Sequence, residues 1–334
     1  GLRVAVVEKQ KALGGTCLLW GCIPTKALLE HAHALKVVQS AADWGIIIGA
    51  AGRGATPVAI DMARVHARKD RIVAGLSRGV EYLFKKHKID WIRGTARLTG
   101  RAGAPGVEVV EGDTRRLRAK REVIVATGST PKSIPGVTID RTRIITSDEA
   151  IGLRDVPGSI VVIGGGAVGV EFASIFRRFG SEVTIFEALP RLVPVEDEAV
   201  SAELEKSFRK QGIAVHTAAR VMGATADATG VDIAVTLSDG TSTRIRAEYL
   251  LVAAGRGPIV PEYDPIALPL ETDRGYIRVD AMYRTSVPGV SAIGDVIALA
   301  DRVHPQLAHV SSAEGIVTAE RVAGLEPRPV NYDH

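Results

Sequence analysis

Ser159-Ile160-Val161-Val162-Ile163-Gly164-Gly165-Gly166-Ala167-Val168-Gly169-Val170-Glu171 is the stretch that decides the fold. Residues 159–163 form an apolar, β-branched run, the pattern of a strand covered on both faces. Gly164, Gly166 and Gly169 then follow at G-x-G-x-x-G spacing, and residues 170–179 read as a helix. A second strand, Glu182-Val183-Thr184-Ile185-Phe186, ends at the acid Glu187. Each glycine has a task. The first permits a tight turn, the second lets backbone approach a pyrophosphate, and the third allows close helix–strand packing. The helix N-terminus adds free N–H groups and a positive dipole end. An acid at the position of Glu187 accepts hydrogen bonds from both ribose hydroxyls of NAD and repels a 2′-phosphate. The pattern therefore predicts NAD, held by Gly164, Gly165, Gly166, Ala167, Val168, Gly169, Val170 and Glu187. Arg191 lies near enough in sequence to keep NADP as the lesser reading. A purely structural glycine turn is the bland alternative.

Outward from this unit the same grammar recurs. Arg3-Val4-Ala5-Val6-Val7-Glu8 is an apolar run ending in an acid and predicts a buried parallel strand. Gly14-Gly15 breaks the chain, and residues 24–41 read as a helix with Pro24 in its first turn. Its expected apolar stripe is Ala27, Leu28, Ala34, Leu35 and Val38. Residues 58–86 predict a longer helix and residues 90–126 a strand meander, closing on Thr127-Gly128. Downstream of Glu187, a helix is expected over 200–211, then strands to Ala254-Gly255. The last segment carries strands near 276–279 and 290–295 and a helix over 309–323. This is a weak internal duplication of a nucleotide-binding unit.

The chain has 334 residues, enough for two or three domains. With 46% hydrophobic and 24% charged residues it is globular rather than disordered. The net charge of +4 is small. The basic runs Arg115-Arg116-Leu117-Arg118-Ala119-Lys120-Arg121 and Lys85-Lys86-His87-Lys88 read as solvated ends of a strand and a helix, so no nucleic-acid partner is expected. No apolar run reaches ~18 residues, so no membrane span is expected. No signal sequence precedes the first strand, which starts almost at Gly1, and a cytoplasmic location is expected.

Both cysteines of the chain, Cys17 and Cys22, lie in Cys17-Leu18-Leu19-Trp20-Gly21-Cys22. In a regular α-helix their Cα atoms would stand roughly 8.7 Å apart, beyond the ~7 Å reach of a disulfide. A bridge therefore needs a distorted turn, which Gly21 permits. Thiols at a helix N-terminus are activated by its positive end. Two buried structural cysteines fit the spacing equally well. No further Cys or His pair stands at ligand spacing, so no metal site is expected.

The run Gly14-Gly15-Thr16-Cys17-Leu18-Leu19-Trp20-Gly21-Cys22-Ile23-Pro24-Thr25-Lys26 resembles the redox-active segment of the pyridine nucleotide-disulfide oxidoreductases, and among them that of the dihydrolipoamide dehydrogenases. The motifs Ala126-Thr127-Gly128-Ser129, Thr146-Ser147-Asp148-Glu149-Ala150, Gly164 to Glu171, Ala254-Gly255-Arg256, Ala292-Ile293-Gly294-Asp295 and Gln306-Leu307-Ala308-His309 extend the resemblance along the whole chain in family order. The resemblance implies two doubly wound, Rossmann-like α/β domains: residues 1–148 binding FAD, 149–270 binding NAD, and 271–334 returning to the FAD domain. It implies Cys22 as the thiol beside the flavin, Cys17 as the thiol that exchanges with substrate, and a reversible disulfide between them. Lys26 would lie near the flavin N5 and pair with Glu171. Glu8, Gly15, Thr16, Ala96, Thr127, Gly128, Ser129 and Asp295 would hold FAD. Gln306, Leu307, Ala308 and His309 would open a helix facing the flavin pyrimidine oxygen, where a reduced flavin gathers negative charge. Glu187, Gly255 and the backbone of Val221 would contact NAD. Taken singly, Lys26, Glu171, Asp295 and His309 each have ordinary surface or turn readings.

The implied activity is dihydrolipoamide:NAD⁺ oxidoreduction, serving a lipoyl domain of a 2-oxo acid dehydrogenase or glycine cleavage complex, with a homodimer in the full-length protein. Mercuric ion reductase and glutathione-type reductases are the enzyme rivals, and a non-catalytic nucleotide-binding fragment is the rival of another class. Three departures from the family pattern stand out. No strand and G-x-G-x-x-G turn precede the strand ending in Glu8, the C-terminal interface domain with its His–Glu pair is absent, and Leu19, Trp20 and Gly257 replace usual residues. The expectation is a chain truncated at both ends, colourless, poorly soluble and inactive when made as written.

Overall fold

The computed structural model describes residues 2–46 and 58–333. They fold into two compact units, each assembled from separate stretches of chain: 1–15, 77–130 and 256–334 form one, and 16–76 and 131–255 the other.

The second unit is built on five parallel strands in the order Ala214–His216, Glu182–Phe186, Ser159–Ile163, Tyr249–Val252, Ile144–Ile145. Parallel strands need crossovers, and helices Ala167–Phe179 and Glu198–Lys210 supply them. The order reverses between Ser159–Ile163 and Tyr249–Val252, and such a switch point is where doubly wound sheets bind ligands. An antiparallel sheet of Arg220–Ala226, Val231–Thr236 and Ser242–Ala247 lies in the connection leading to Tyr249–Val252. Its buried residues Val221, Val231, Ile233 and Val235 cluster with Val161 and Leu250 of the parallel sheet.

Helix Cys22–Gln39 packs with this second unit. Leu28, Ala32 and Leu35 join a core with Ile160, Val162, Phe172, Ala173 and Phe176. The apolar stripe expected from sequence is corrected in part. Ala34 and Val38 are exposed, and Ala32 is buried in their place. A helix against a broad core buries the face that meets its neighbours, and alanines on either side carry no signal of which face that is. Helix Met62–His87 is anchored to the same unit through polar groups. His66 Nε2 lies 2.7 Å from the Leu153 carbonyl, and the buried Lys69 ammonium donates to the Ile151 carbonyl at 3.0 Å.

In the first unit, Ala5–Glu8 pairs in parallel with Asp90–Arg93, and Val123–Val125 with Val290–Ala292. The meander Ala96–Arg101, Ala104–Val109, Arg115–Arg118 is antiparallel. The expected burial of Ala5–Glu8 on both faces is not met. Ala5 is exposed and Val6 and Val7 are half-buried, because a strand with one described neighbour shields less of its surface than one inside a wide sheet. The core comprises Leu98, Val125, Leu268, Ile277, Tyr283, Val290, Ala292 and Val317. Helix Ala308–Ala323 is fastened by Arg321, whose guanidinium makes two bonds to the Glu122 carboxylate (3.0 and 2.7 Å) and one to Ser291 Oγ (2.6 Å).

Candidate active site

The two cysteines sit on either side of a sharp turn. Helix Gly15–Leu19 carries Cys17, and helix Cys22–Gln39 begins with Cys22. Gly21 makes the reversal, since a Cβ there would lie 2.8 Å from the Thr16 carbonyl oxygen. The turn is the distortion that brings residues 17 and 22 together. Both are free thiols in hydrogen-bond contact, Cys17 partly buried and Cys22 exposed. Burial pushes the Cys17 thiol up to about 11, helped by the Cys22 thiol and its charge, and opposed by the Cys22 backbone N–H and the Lys26 ammonium. In the reduced protein Cys17 therefore keeps its proton at neutral pH.

One turn along the same helix, Lys26 Nζ donates to Glu171 Oε1 at 2.7 Å. Glu171 lies on helix Ala167–Phe179, so the packing of two helices brings together residues 145 apart in sequence. Lys26 stays half-exposed, with its charge available to a ligand.

The glycine turn has the three predicted roles in its geometry. Gly164 has φ +103, and a Cβ there would meet the Ala253 carbonyl oxygen at 2.4 Å. A Cβ on Gly169 would come 1.9 Å from the Gly164 carbonyl oxygen, so helix and strand touch backbone to backbone. Gly166, the N-cap of the helix, faces open space and has no side-chain cap, which leaves the backbone donors of Ala167, Val168 and Gly169 for a phosphate. The buried Glu187 carboxylate accepts from Gly165 N–H at 2.5 Å and Leu189 N–H at 2.8 Å, so the acid also ties down the glycine turn. Arg191 is committed elsewhere, to Glu198 at 2.5 Å and the carbonyl of Pro194. Gly255 (φ +113) ends the neighbouring strand in open space. Val221 lies in the core, with its backbone in the ladder to Val235.

In the first unit, Glu8 ends its strand and accepts from Gln10 N–H at 2.9 Å. Ala96 starts the meander opposite Val109. Gly15 (φ +65) and Gly128 (φ +73) both face open space, the bare backbone that a dinucleotide needs for close approach. Thr16, in the second unit, accepts from Trp20 N–H through its carbonyl, and in the first unit Thr127 Oγ1 donates to the Ile259 carbonyl. Ser129 Oγ donates to Asp295 Oδ2 at 2.6 Å and accepts from Arg256 Nε at 2.7 Å. Gln306 has φ +53, and Leu307, Ala308 and His309 are exposed at a helix N-terminus with no side-chain cap. These open glycines and uncapped N–H groups fit a dinucleotide in each unit. Sequence reasoning missed Arg256 as a partner of Ser129, and missed Glu314 with His304, because nothing in the spacing of these residues signals that they meet.

Among the described residues no helix is long and apolar enough to cross a membrane, and no cluster of His, Cys, Asp and Glu suits a metal ion.

Paired thiols, a lysine–glutamate pair and a nucleotide-type glycine turn in one unit are the features of a flavoprotein disulfide reductase, and a family model for pyridine nucleotide-disulphide oxidoreductases matches residues 1–315: the chain belongs to that family. Within it, the chain is 41% identical over 331 residues to the dihydrolipoyl dehydrogenase of Chlorobaculum tepidum, covering 99% of this chain and 67% of that protein. It is also 41% identical over 334 residues to dihydrolipoyl dehydrogenase 3 of Pseudomonas putida, covering 100% and 69%. The chain thus spans about two thirds of the length of these relatives. The fold matches LpdA from Mycobacterium tuberculosis with a TM-score of 0.84 at 24% identity, over 98% of this chain and 68% of that one. It matches the HOCl-induced flavoprotein disulfide reductase RclA from Escherichia coli with a TM-score of 0.80 at 25% identity, over 98% and 67%.

Proposed function

We propose that this chain carries the dithiol-to-nicotinamide relay of an FAD-dependent dihydrolipoamide:NAD⁺ oxidoreductase. The observation that carries the reading is the thiol pair at the Gly21 turn, with the Lys26–Glu171 pair one helical turn beyond. In this reading a dithiol substrate attacks the Cys17–Cys22 disulfide at Cys17. A mixed disulfide forms at Cys17, Cys22 leaves as a thiolate, and the second substrate thiol then releases Cys17 as the substrate disulfide closes. The net step oxidises two substrate thiols and reduces one protein disulfide. FAD supplies the two-electron chemistry that links thiol oxidation to reduction of NAD⁺. Cys22 is the thiol assigned to the flavin, and Lys26, oriented by Glu171, is the cation assigned to its N5 region. Glu8, Gly15, Thr16, Ala96, Thr127, Gly128, Ser129, Asp295 and the backbone of 306–309 hold FAD. Residues 164–171, Glu187, Val221 and Gly255 hold NAD. Residues 1–148 with 271–334 are on this reading the FAD part, and 149–270 the NAD part.

NAD is favoured over NADP because Glu187 presents a carboxylate where a 2′-phosphate would lie, while Arg191 is already ion-paired to Glu198. The partner is a lipoyl-bearing domain, the working form a homodimer, and the compartment the cytoplasm. The test is reduction of NAD⁺ and NADP⁺ by free dihydrolipoamide with the FAD-loaded full-length protein. A higher kcat/KM with NADP⁺ would sink the cofactor assignment. Activity retained by Cys22→Ser would sink the relay.

A further inference from the structure

We infer that Glu314, with His304 and Tyr332, is a positioning network that sets the backbone assigned to FAD in the first unit. The inference rests on the cofactor reading above.

Glu314 lies in the second turn of helix Ala308–Ala323 and is completely buried. A buried carboxylate needs donors or a cation. Its Oε2 accepts from the Gly294 N–H at 2.7 Å. Its Oε1 accepts from His304 Nε2 at 2.8 Å and from Tyr332 OH at 2.7 Å. His304 Nδ1 accepts from the Gln306 N–H at 3.0 Å. That bond fixes the proton on Nε2, so a neutral imidazole satisfies both partners. Tyr332 is further held by Tyr283 OH at 3.0 Å and by the Arg302 guanidinium over its ring.

Two of these bonds, those to the Gly294 and Gln306 N–H groups, end on backbone at or next to residues assigned to FAD. Gly294 has φ +74 and precedes Asp295, whose carboxylate accepts from Ser129. Gln306 has φ +53 and precedes the uncapped helix start at Leu307, Ala308 and His309. Both residues adopt left-handed backbone, which Gln306 does at a steric cost. One carboxylate thereby fixes two separate backbone segments, 294–295 directly and 306–309 through His304. A plain core would place an aliphatic side chain at position 314, without needing three converging donors. None of these residues touches a reacting atom on this reading, so they position rather than catalyse.

The experiment compares, in the full-length protein, wild type with Glu314→Gln, His304→Ala and Tyr332→Phe. FAD affinity is measured by quenching of flavin fluorescence, and thermal unfolding is followed with and without FAD. Gln at 314 presents an NH₂ group to donors, and Ala at 304 frees the Gln306 N–H. Each should raise the FAD Kd about tenfold or more, and Tyr332→Phe, which removes one of three donors, severalfold. The FAD-induced rise in Tm should shrink in step. Variants with a lower Tm but an unchanged FAD increment and Kd would show a merely structural network and overturn the inference. If Glu314→Gln does not fold, Tyr332→Phe decides: an unchanged Kd in that variant overturns the inference. Failure of the wild-type full-length protein to bind FAD would overturn the cofactor reading and this inference with it.

Discussion

Replacing Gly169 with alanine should damage folding, whereas the same change at Gly166, three residues earlier, should damage nucleotide binding. The Gly169 Cβ would stand 1.9 Å from the Gly164 carbonyl oxygen and 3.3 Å from Val162 Cγ1. Non-bonded contacts below about 3 Å are not sustained, so the helix must move out by roughly 1 Å or the glycine turn must rotate. Rotation is resisted, because the Gly164 N–H is bonded to the Phe186 carbonyl at 2.9 Å. Moving the helix loosens Phe172, Ala173 and Phe176, all nearly inaccessible to solvent. Overpacking of this kind costs about 1–3 kcal/mol, and a clash with backbone falls at the upper end. At roughly 2–4 °C per kcal/mol, Gly169→Ala should lower the Tm by about 5–10 °C. At Gly166 an added Cβ meets nothing within 4 Å. Gly166→Ala should therefore cost no more than about 1 kcal/mol, the loss of a favourable N-cap residue. Its methyl group would stand where the pyrophosphate approaches, and NADH affinity should fall about tenfold or more, or ~1.4 kcal/mol. Urea unfolding and NADH titration on both variants give the four numbers needed. Equal stability losses with NADH affinity unchanged in Gly166→Ala would refute the reasoning.

Four further outcomes follow from the geometry. Alkylation of Cys17 in the reduced protein should rise with a midpoint near 11, above the ordinary thiol value of 9.0; in Lys26→Met, which removes a charge that favours the thiolate, the midpoint should move higher still. The sign for stability is fixed by the same shift: below pH 9 the thiol is protonated in both folded and unfolded chains, and between 9 and 11 the unfolded chain ionises first, so reduced protein should lose stability across that window and Cys17→Ser should lose less. Arg321→Ala leaves the Glu122 carboxylate without its bidentate partner while 11% exposed, and should cost about 3–5 kcal/mol in urea unfolding; a loss under about 1 kcal/mol would contradict the anchoring role given to this pair. Glu187→Ala should reduce the preference for NAD⁺ over NADP⁺ by about 1–3 kcal/mol in kcat/KM, as expected for a lost charge-assisted contact.

Local chemistry was readable without coordinates wherever it depends on backbone conformation over a few residues. The glycine turn at 164–169 and the reversal at Gly21 belong to this class, because a Cβ at Gly164, Gly169 or Gly21 would strike nearby backbone. The strand 159–163 was legible because residues 160–163 are all apolar, as in a strand covered on both faces, and 182–186 because Val183, Ile185 and Phe186 make a short apolar, β-branched run between Gly180 and Glu187. The second helix started where Pro24 and the glycine before it required. Tertiary structure alone decided which pieces share a core. Residues 16–76 pack with 131–255, and the buried face of helix 22–39 follows from that packing rather than from its own alternation. Long-range polar contacts belong to the same class. Lys26 and Glu171 were paired through the resemblance to a family, but their 2.7 Å contact depends on the packing of two helices. The group around Glu314 gathers residues 294, 304 and 332, with Gln306 reached through His304. Periodicity reports only which face of one element is apolar, and carries no information about which distant polar groups meet beneath it.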